Sequence, residues 1–102
     1  MKLDNVGTII ATRQLALADG GKAMVTIGKP EKFPDGNNYY CPYQIIGIRR
    51  GNVRYAAGVD AIQAIQLALQ MIGIDLQTSD EAQTGALSWN AATKHGDFGF
   101  SG

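Results

Sequence analysis

Hydrophobic positions in this chain recur with a period near two as far as residue 57, and with a helical period after it. The second regime is the stronger. Gly58 to Gln77 reads GVDAIQAIQLALQMIGIDLQ, and no residue from Ala61 to Ile74 is charged. Its strongly polar members, Gln63, Gln66 and Gln70, fall in one narrow line at about 100° per residue. The segment therefore predicts a helix that is apolar around most of its circumference, and its Ala, Leu, Gln and Met content favours helix over buried strand. Gly58 or Asp60 can open it, and Gly73, Asp75, Thr78, Ser79 and Asp80 dissolve the repeat. Projection gives a broad core face of Ala61, Ile62, Ile65, Ala68, Leu69, Ile72 and Leu76. Ala64, Leu67, Met71 and Ile74 form a second stripe beside the glutamines. A helix on a single sheet normally shows water a charged face, so this stripe requires a cover. The candidates are the chain's own Trp89, Phe98 and Phe100, or another chain, either a second copy or a different partner.

The first regime predicts strands. Thr8 to Ala18 alternates, with Ile9, Ala11, Leu15 and Leu17 on one face and Arg13 interrupting it as a sign of a bulge or a strand end. Asp19-Gly20-Gly21 reverses the chain, and Lys22 to Ile27 returns with Ala23, Val25 and Ile27 inward. Lys29 to Asn38 reads as an exposed loop, and Met1 to Val6 as a loose lead-in. A third strand runs from Tyr39 or Tyr40 to Arg49; Pro42, lacking an N–H, assigns its start to an edge or to a stretch before pairing begins. Arg50-Gly51-Asn52 turns into a fourth strand, Val53 to Ala57, and the small residues Ala56, Ala57 and Gly58 suit a close backbone approach. Gln77 to Thr84 reads as polar loop and Gly85 to Trp89 as a fifth strand. The expected fold is α+β: one domain over residues 1–102, an antiparallel sheet of about five strands in the order ββββαβ, with one long helix across a face.

YYCPYQI (Tyr39 to Ile45) and AAGVDAIQAIQLALQMIGIDL (Ala56 to Leu76), with IATRQL, IGKP and LSW elsewhere, resemble a family of short bacterial proteins of unknown function. The resemblance spans most of the chain. It implies a bacterial, single-domain, cytoplasmic protein, and it brings no activity, substrate or catalytic residue with it.

Composition refines this reading only in part. Net charge is zero, but residues 1–58 carry eight basic and four acidic side chains while residues 59–102 carry one and five. Such polarity can steer a charged partner or favour self-association, and it weighs against nucleic acid, whose binders are basic over the whole domain. One cysteine, Cys41, excludes an internal disulfide framework and fits a reducing compartment. No stretch reads as a signal peptide or a membrane span, so the cytoplasm is the expected location.

Candidate chemistry is sparse. Cys41, His95 and Asp97 are the residue types of a thiol nucleophile, but Cys41 lies between Tyr40 and Pro42 without the turn that usually presents one. No pair stands at metal-ligand spacing and no phosphate-binding glycine motif occurs, so neither metal nor cofactor is expected. Arg49, Arg50 and Arg54, close in sequence to Tyr39, Tyr40, Tyr43 and Tyr55, are the anion-binding candidates. Interface candidates are Ala64, Leu67, Met71 and Ile74 on the helix, with Tyr39 and Tyr40 beside the Lys29–Asn38 loop. The expected function is non-enzymatic: a bacterial cytoplasmic protein acting by protein contact or as a homodimer, of an immunity or accessory type. The alternative is a small-ligand or anion-binding domain with a cleft lined by Arg49, Arg54 and tyrosines.

Overall fold

The computed structural model describes residues 1–48, 51–89 and 98–100. Its elements are β1 (Ile9–Leu17), β2 (Lys22–Gly28), β3 (Glu31–Lys32), β4 (Tyr39–Ile46), β5 (Arg54–Gly58), α1 (Ala61–Gln77), α2 (Asp80–Gln83) and β6 (Leu87–Ser88). Every strand pair is antiparallel. The architecture is α+β, with one long helix packed on one face of the sheet.

Alternation is what makes the strands two-sided. In the β1–β2 hairpin Leu15 pairs with Ala23 and Arg13 with Val25, and Asp19 closes the turn by accepting from the Gly21 N–H at 2.8 Å. Arg13 marks neither a bulge nor an end. The irregularity lies between Ile9 and Ala11, and Arg13 stays in register on the inner face. There its guanidinium lies 3.8 Å from the centre of the Trp89 ring and 4.7 Å from that of Phe100, while Nη1 donates to the Phe98 carbonyl at 2.9 Å. Cation–π contact and a carbonyl acceptor are what make an arginine tolerable on a core face.

β4 is an interior strand already paired from Tyr39, contrary to both placements expected from Pro42, an edge or a start before pairing. β5 pairs with it along Tyr39 to Tyr43, so β2 and β3 must share its other side. On that side pairing runs to Ile27–Tyr43 and resumes at Glu31–Tyr40. Cys41 and Pro42 stand opposite the break, where a residue lacking an N–H costs no ladder bond. The expected Lys29–Asn38 loop thus contains the short β3, and the expected strand to Arg49 ends at Ile46. The lead-in is also less loose than its composition suggests: Val6 is buried, and a Cβ on Gly28 would collide with its carbonyl oxygen.

α1 connects β5 at one margin of the sheet to β6 at the other and lies over β4 and β5. Asp60 caps it by accepting from the Gln63 N–H, and Gln63 reciprocates by accepting from the Val59 N–H, both at 2.8 Å. The face that meets the sheet is Ala64, Ala68, Ile72 and Leu76, all inaccessible to solvent. Ile62, expected in the core, is 67% exposed. The helix is therefore turned by about 40° from the projected orientation. Small residues account for this, because Ala64 and Ala68 let the axis come closer to the sheet than Ile62 would allow. Leu67 and Met71 of the second stripe are half-buried against the chain's own core, which also contains Phe98 and Phe100; Ile74 remains 57% exposed. Ala64 is withdrawn as an interface candidate for the same reason: no part of it reaches the surface. The expected polar loop after α1 contains α2, nucleated by buried Ser79, whose hydroxyl donates to the Leu76 carbonyl at 2.7 Å and accepts from Ala82 N–H at 3.2 Å.

Candidate functional site

Where the last turn of α1 passes the ends of β4 and β5, the surface opens into a cleft of about 560 Å³, lined by Tyr43, Ile45, Ile48, Gly51, Asn52, Arg54, Asp75 and Leu76. Its size falls within the usual range for small-molecule pockets. Tyr43 and Arg54 are cross-strand partners, so their side chains leave the same face of the sheet side by side. Asp75 approaches from the helix, and its Oδ2 accepts from Arg54 Nη1 at 2.7 Å. An aspartate near a helix C-terminus opposes the helix dipole, and α1 has no basic residue in its last turn; the guanidinium offsets both. Gly51 at the rim is held from the opposite face of the sheet by Gln44, whose Nε2 donates to its carbonyl at 2.7 Å.

Tyr43 is the unusual member. It is 1% exposed, yet its hydroxyl has no hydrogen-bond partner among the described residues. A buried, unpartnered hydroxyl is destabilising by about 1–3 kcal/mol. Burial raises its pKa above the ordinary phenol value; the neighbouring Arg54 charge lowers it and that of Asp75 raises it again. The group is thus a neutral phenol at physiological pH, able to donate, with a guanidinium and a carboxylate nearby.

The other sequence candidates divide. The four tyrosines form no single patch. Tyr39 and Tyr43 lie on the inner face, whereas Tyr40 and Tyr55 lie on the outer one with Phe33, at ring separations of 5.1 and 5.9 Å. Tyr39 and Tyr40 are both half-buried. Of the arginines, Arg54 lines the cleft, and Arg49 and Arg50 lie outside the described residues. Cys41 is fully enclosed, its thiol 3.6 Å from the Gly28 carbonyl, and burial pushes its pKa up to about 11. A thiol so placed stays protonated at neutral pH. His95 and Asp97 lie outside the described residues. Among those described, no three His, Cys, Asp or Glu side chains gather as metal ligands, and no helix is long and apolar enough to cross a membrane.

Sequence reading missed Asp75, the aliphatic wall of Ile45, Ile48 and Leu76, and the isolation of the Tyr43 hydroxyl. One signal was available: an acid near a helix C-terminus without a base beside it calls for a cation from elsewhere in the chain. Residues 11–101 match the model of a family described as a domain of unknown function, DUF6968. No curated protein and no solved structure matches the chain.

Proposed function

We propose that this chain, which belongs to the DUF6968 family of unknown function, is a non-enzymatic binding domain that takes a small ligand into the cleft between α1 and the ends of β4 and β5. The observation carrying this reading is the Tyr43 hydroxyl: buried in the wall of a cleft, unpartnered, and beside an ion pair. A ligand offering an acceptor would supply the missing hydrogen bond, and the aliphatic wall would cover its apolar part. Phenol, guanidinium and carboxylate here are suited to holding a molecule rather than to breaking a bond in it.

The hydroxyl gives the reading a two-signed test. Tyr43→Phe keeps the ring and removes the orphan group, so the free protein should become more stable by about 1 kcal/mol in urea unfolding. The same variant should lose affinity for any small molecule that a thermal-shift screen finds for the wild type. A variant that is less stable than the wild type and binds the same compounds equally well refutes the role of this group.

A second reading, protein contact in the bacterial cytoplasm as a homodimer or as an immunity-type or accessory partner, keeps one support. The outward side of α1 shows Ile62 (67% exposed) and Ile74 (57%) among Gln63, Gln66 and Gln70, with Val59 (68%) just before the N-cap, and no residue from Ala61 to Ile74 is charged. Exposed apolar side chains on an uncharged face suit a partner surface. Sedimentation at micromolar concentration should then show self-association weakened by Ile62→Lys; a monomer unaffected by that change removes the homodimer.

A further inference from the structure

We infer that the cleft selects a small monocarboxylate with an apolar tail, its carboxylate shared between the Tyr43 hydroxyl and the N–H groups of Arg54 not engaged by Asp75. The inference rests on the binding function proposed above and names the ligand class.

The cleft is chemically divided. Tyr43 and Arg54 are paired across β4 and β5, and Asp75 lies against Arg54, so the phenol and both charged groups gather at one end; Asn52 is the other polar side chain of the lining. Ile45 is two residues further along β4 and Ile48 lies beyond the strand, so these two extend the aliphatic wall away from that end, while Leu76 follows Asp75 on α1. A ligand matching both parts has a polar head and an apolar body.

Donor and acceptor supply then fix the head. Tyr43 offers an unengaged O–H. Arg54 offers five N–H donors in a planar fork, of which Nη1 is directed at Asp75. The carboxylate of Asp75, the one charged acceptor in the lining, is already taken by Arg54. Among the phenol and the charged groups, unspent capacity is therefore on the donor side, which calls for an acceptor, and a planar carboxylate fits a guanidinium edge better than a hydroxyl does. Charge limits it to one unit. Arg54 and Asp75 sum to zero, so a phosphate dianion would meet Asp75 with no second cation among the described lining residues. A cationic head would compete with Arg54 for Asp75 and leave Tyr43 without the acceptor it lacks.

The test is an amide-resolved NMR titration of the full chain with hexanoate, hexanol, hexanamide and inorganic phosphate. Hexanoate should shift the amides of Gly51, Asn52, Arg54 and Leu76 and bind about tenfold tighter than hexanol, the effect of one charged hydrogen bond that is partly exposed to solvent. Arg54→Gln should reduce hexanoate to the level of hexanol or below it, because the Asp75 carboxylate is then unpaired. Asp75→Asn, which frees the whole guanidinium, should tighten hexanoate; a damaged fold cannot mimic that gain. Equal binding of hexanoate and hexanol, with both variants indifferent, overturns the carboxylate class while leaving a binding cleft. Phosphate binding tighter than hexanoate overturns it in favour of a multivalent anion. If no probe moves the cleft amides in the wild type, the inference and the binding function fall together.

Discussion

Trp89→Ala is expected to lower stability by about 3 kcal/mol, more than its half-buried position alone would suggest. The ring does two jobs. It packs against the core on the β1 side of the sheet, and it is one wall of the sandwich that makes Arg13 acceptable there. Phe100 is the other wall, Phe98 holds Arg13 through its carbonyl, and Gly99 passes so near Trp89 that an added Cβ would lie 2.5 Å from the ring. Removing the indole therefore loosens residues 98–100 as well. Chemical denaturation should show a lowered midpoint, and Arg13→Lys, which keeps the charge but not the flat stacking surface, should lose about 1–2 kcal/mol. Combining Trp89→Ala with Arg13→Ala should cost less than the sum of the two, because each already removes the shared contact. A loss below about 1 kcal/mol for Trp89→Ala would mean that the C-terminal aromatics decorate the core rather than close it.

Gly58→Ala is expected to cost about 3 kcal/mol, the upper end for adding one methyl group to a packed site. Its Cβ would lie 2.5 Å from the Ala64 nitrogen and 2.9 Å from the Gln63 carbonyl carbon. These are helix backbone atoms and cannot rotate away. The helix would have to lift from the end of β5, opening the interface in which Ala64 and Ala68 are sealed. Gly36→Ala is the control: nothing lies within 4 Å of its added Cβ, so stability should be unchanged or slightly increased. Equal effects of the two substitutions in a denaturation series would show that α1 does not rest on Gly58.

Why some of this was legible and some not follows from range. The β1–β2 hairpin is written locally, since Asp19-Gly20-Gly21 and the alternation on either side need nothing from elsewhere. α1 is equally local, and so was the suspicion that Ala56-Ala57-Gly58 lets backbones approach. Rotation of α1 is not local. Projection weighs hydrophobicity, under which Ile62 outranks Ala64, whereas packing against a strand that ends in glycine rewards the smaller side chain. Pro42 misled because a missing N–H indicates an edge unless the neighbouring strand breaks opposite it, and that break depends on the register of β2 and β3. The cleft was half legible. Arg54 and a tyrosine were in hand, but Asp75 reaches Arg54 across 21 positions, and the isolation of the Tyr43 hydroxyl exists only in three dimensions.

The most direct measurement is a spectrum of the full chain labelled with carbon-13 at the ζ position of tyrosine, recorded while carboxylates and their neutral analogues are added. The chain has four tyrosines, one in the cleft wall and two in the outer aromatic cluster. The expected result is a saturable shift of the Tyr43 signal alone, with those of Tyr39, Tyr40 and Tyr55 unmoved. A Tyr43 signal that stays fixed under every compound, or shifts confined to Tyr40 and Tyr55, would contradict the cleft as the working surface of this protein.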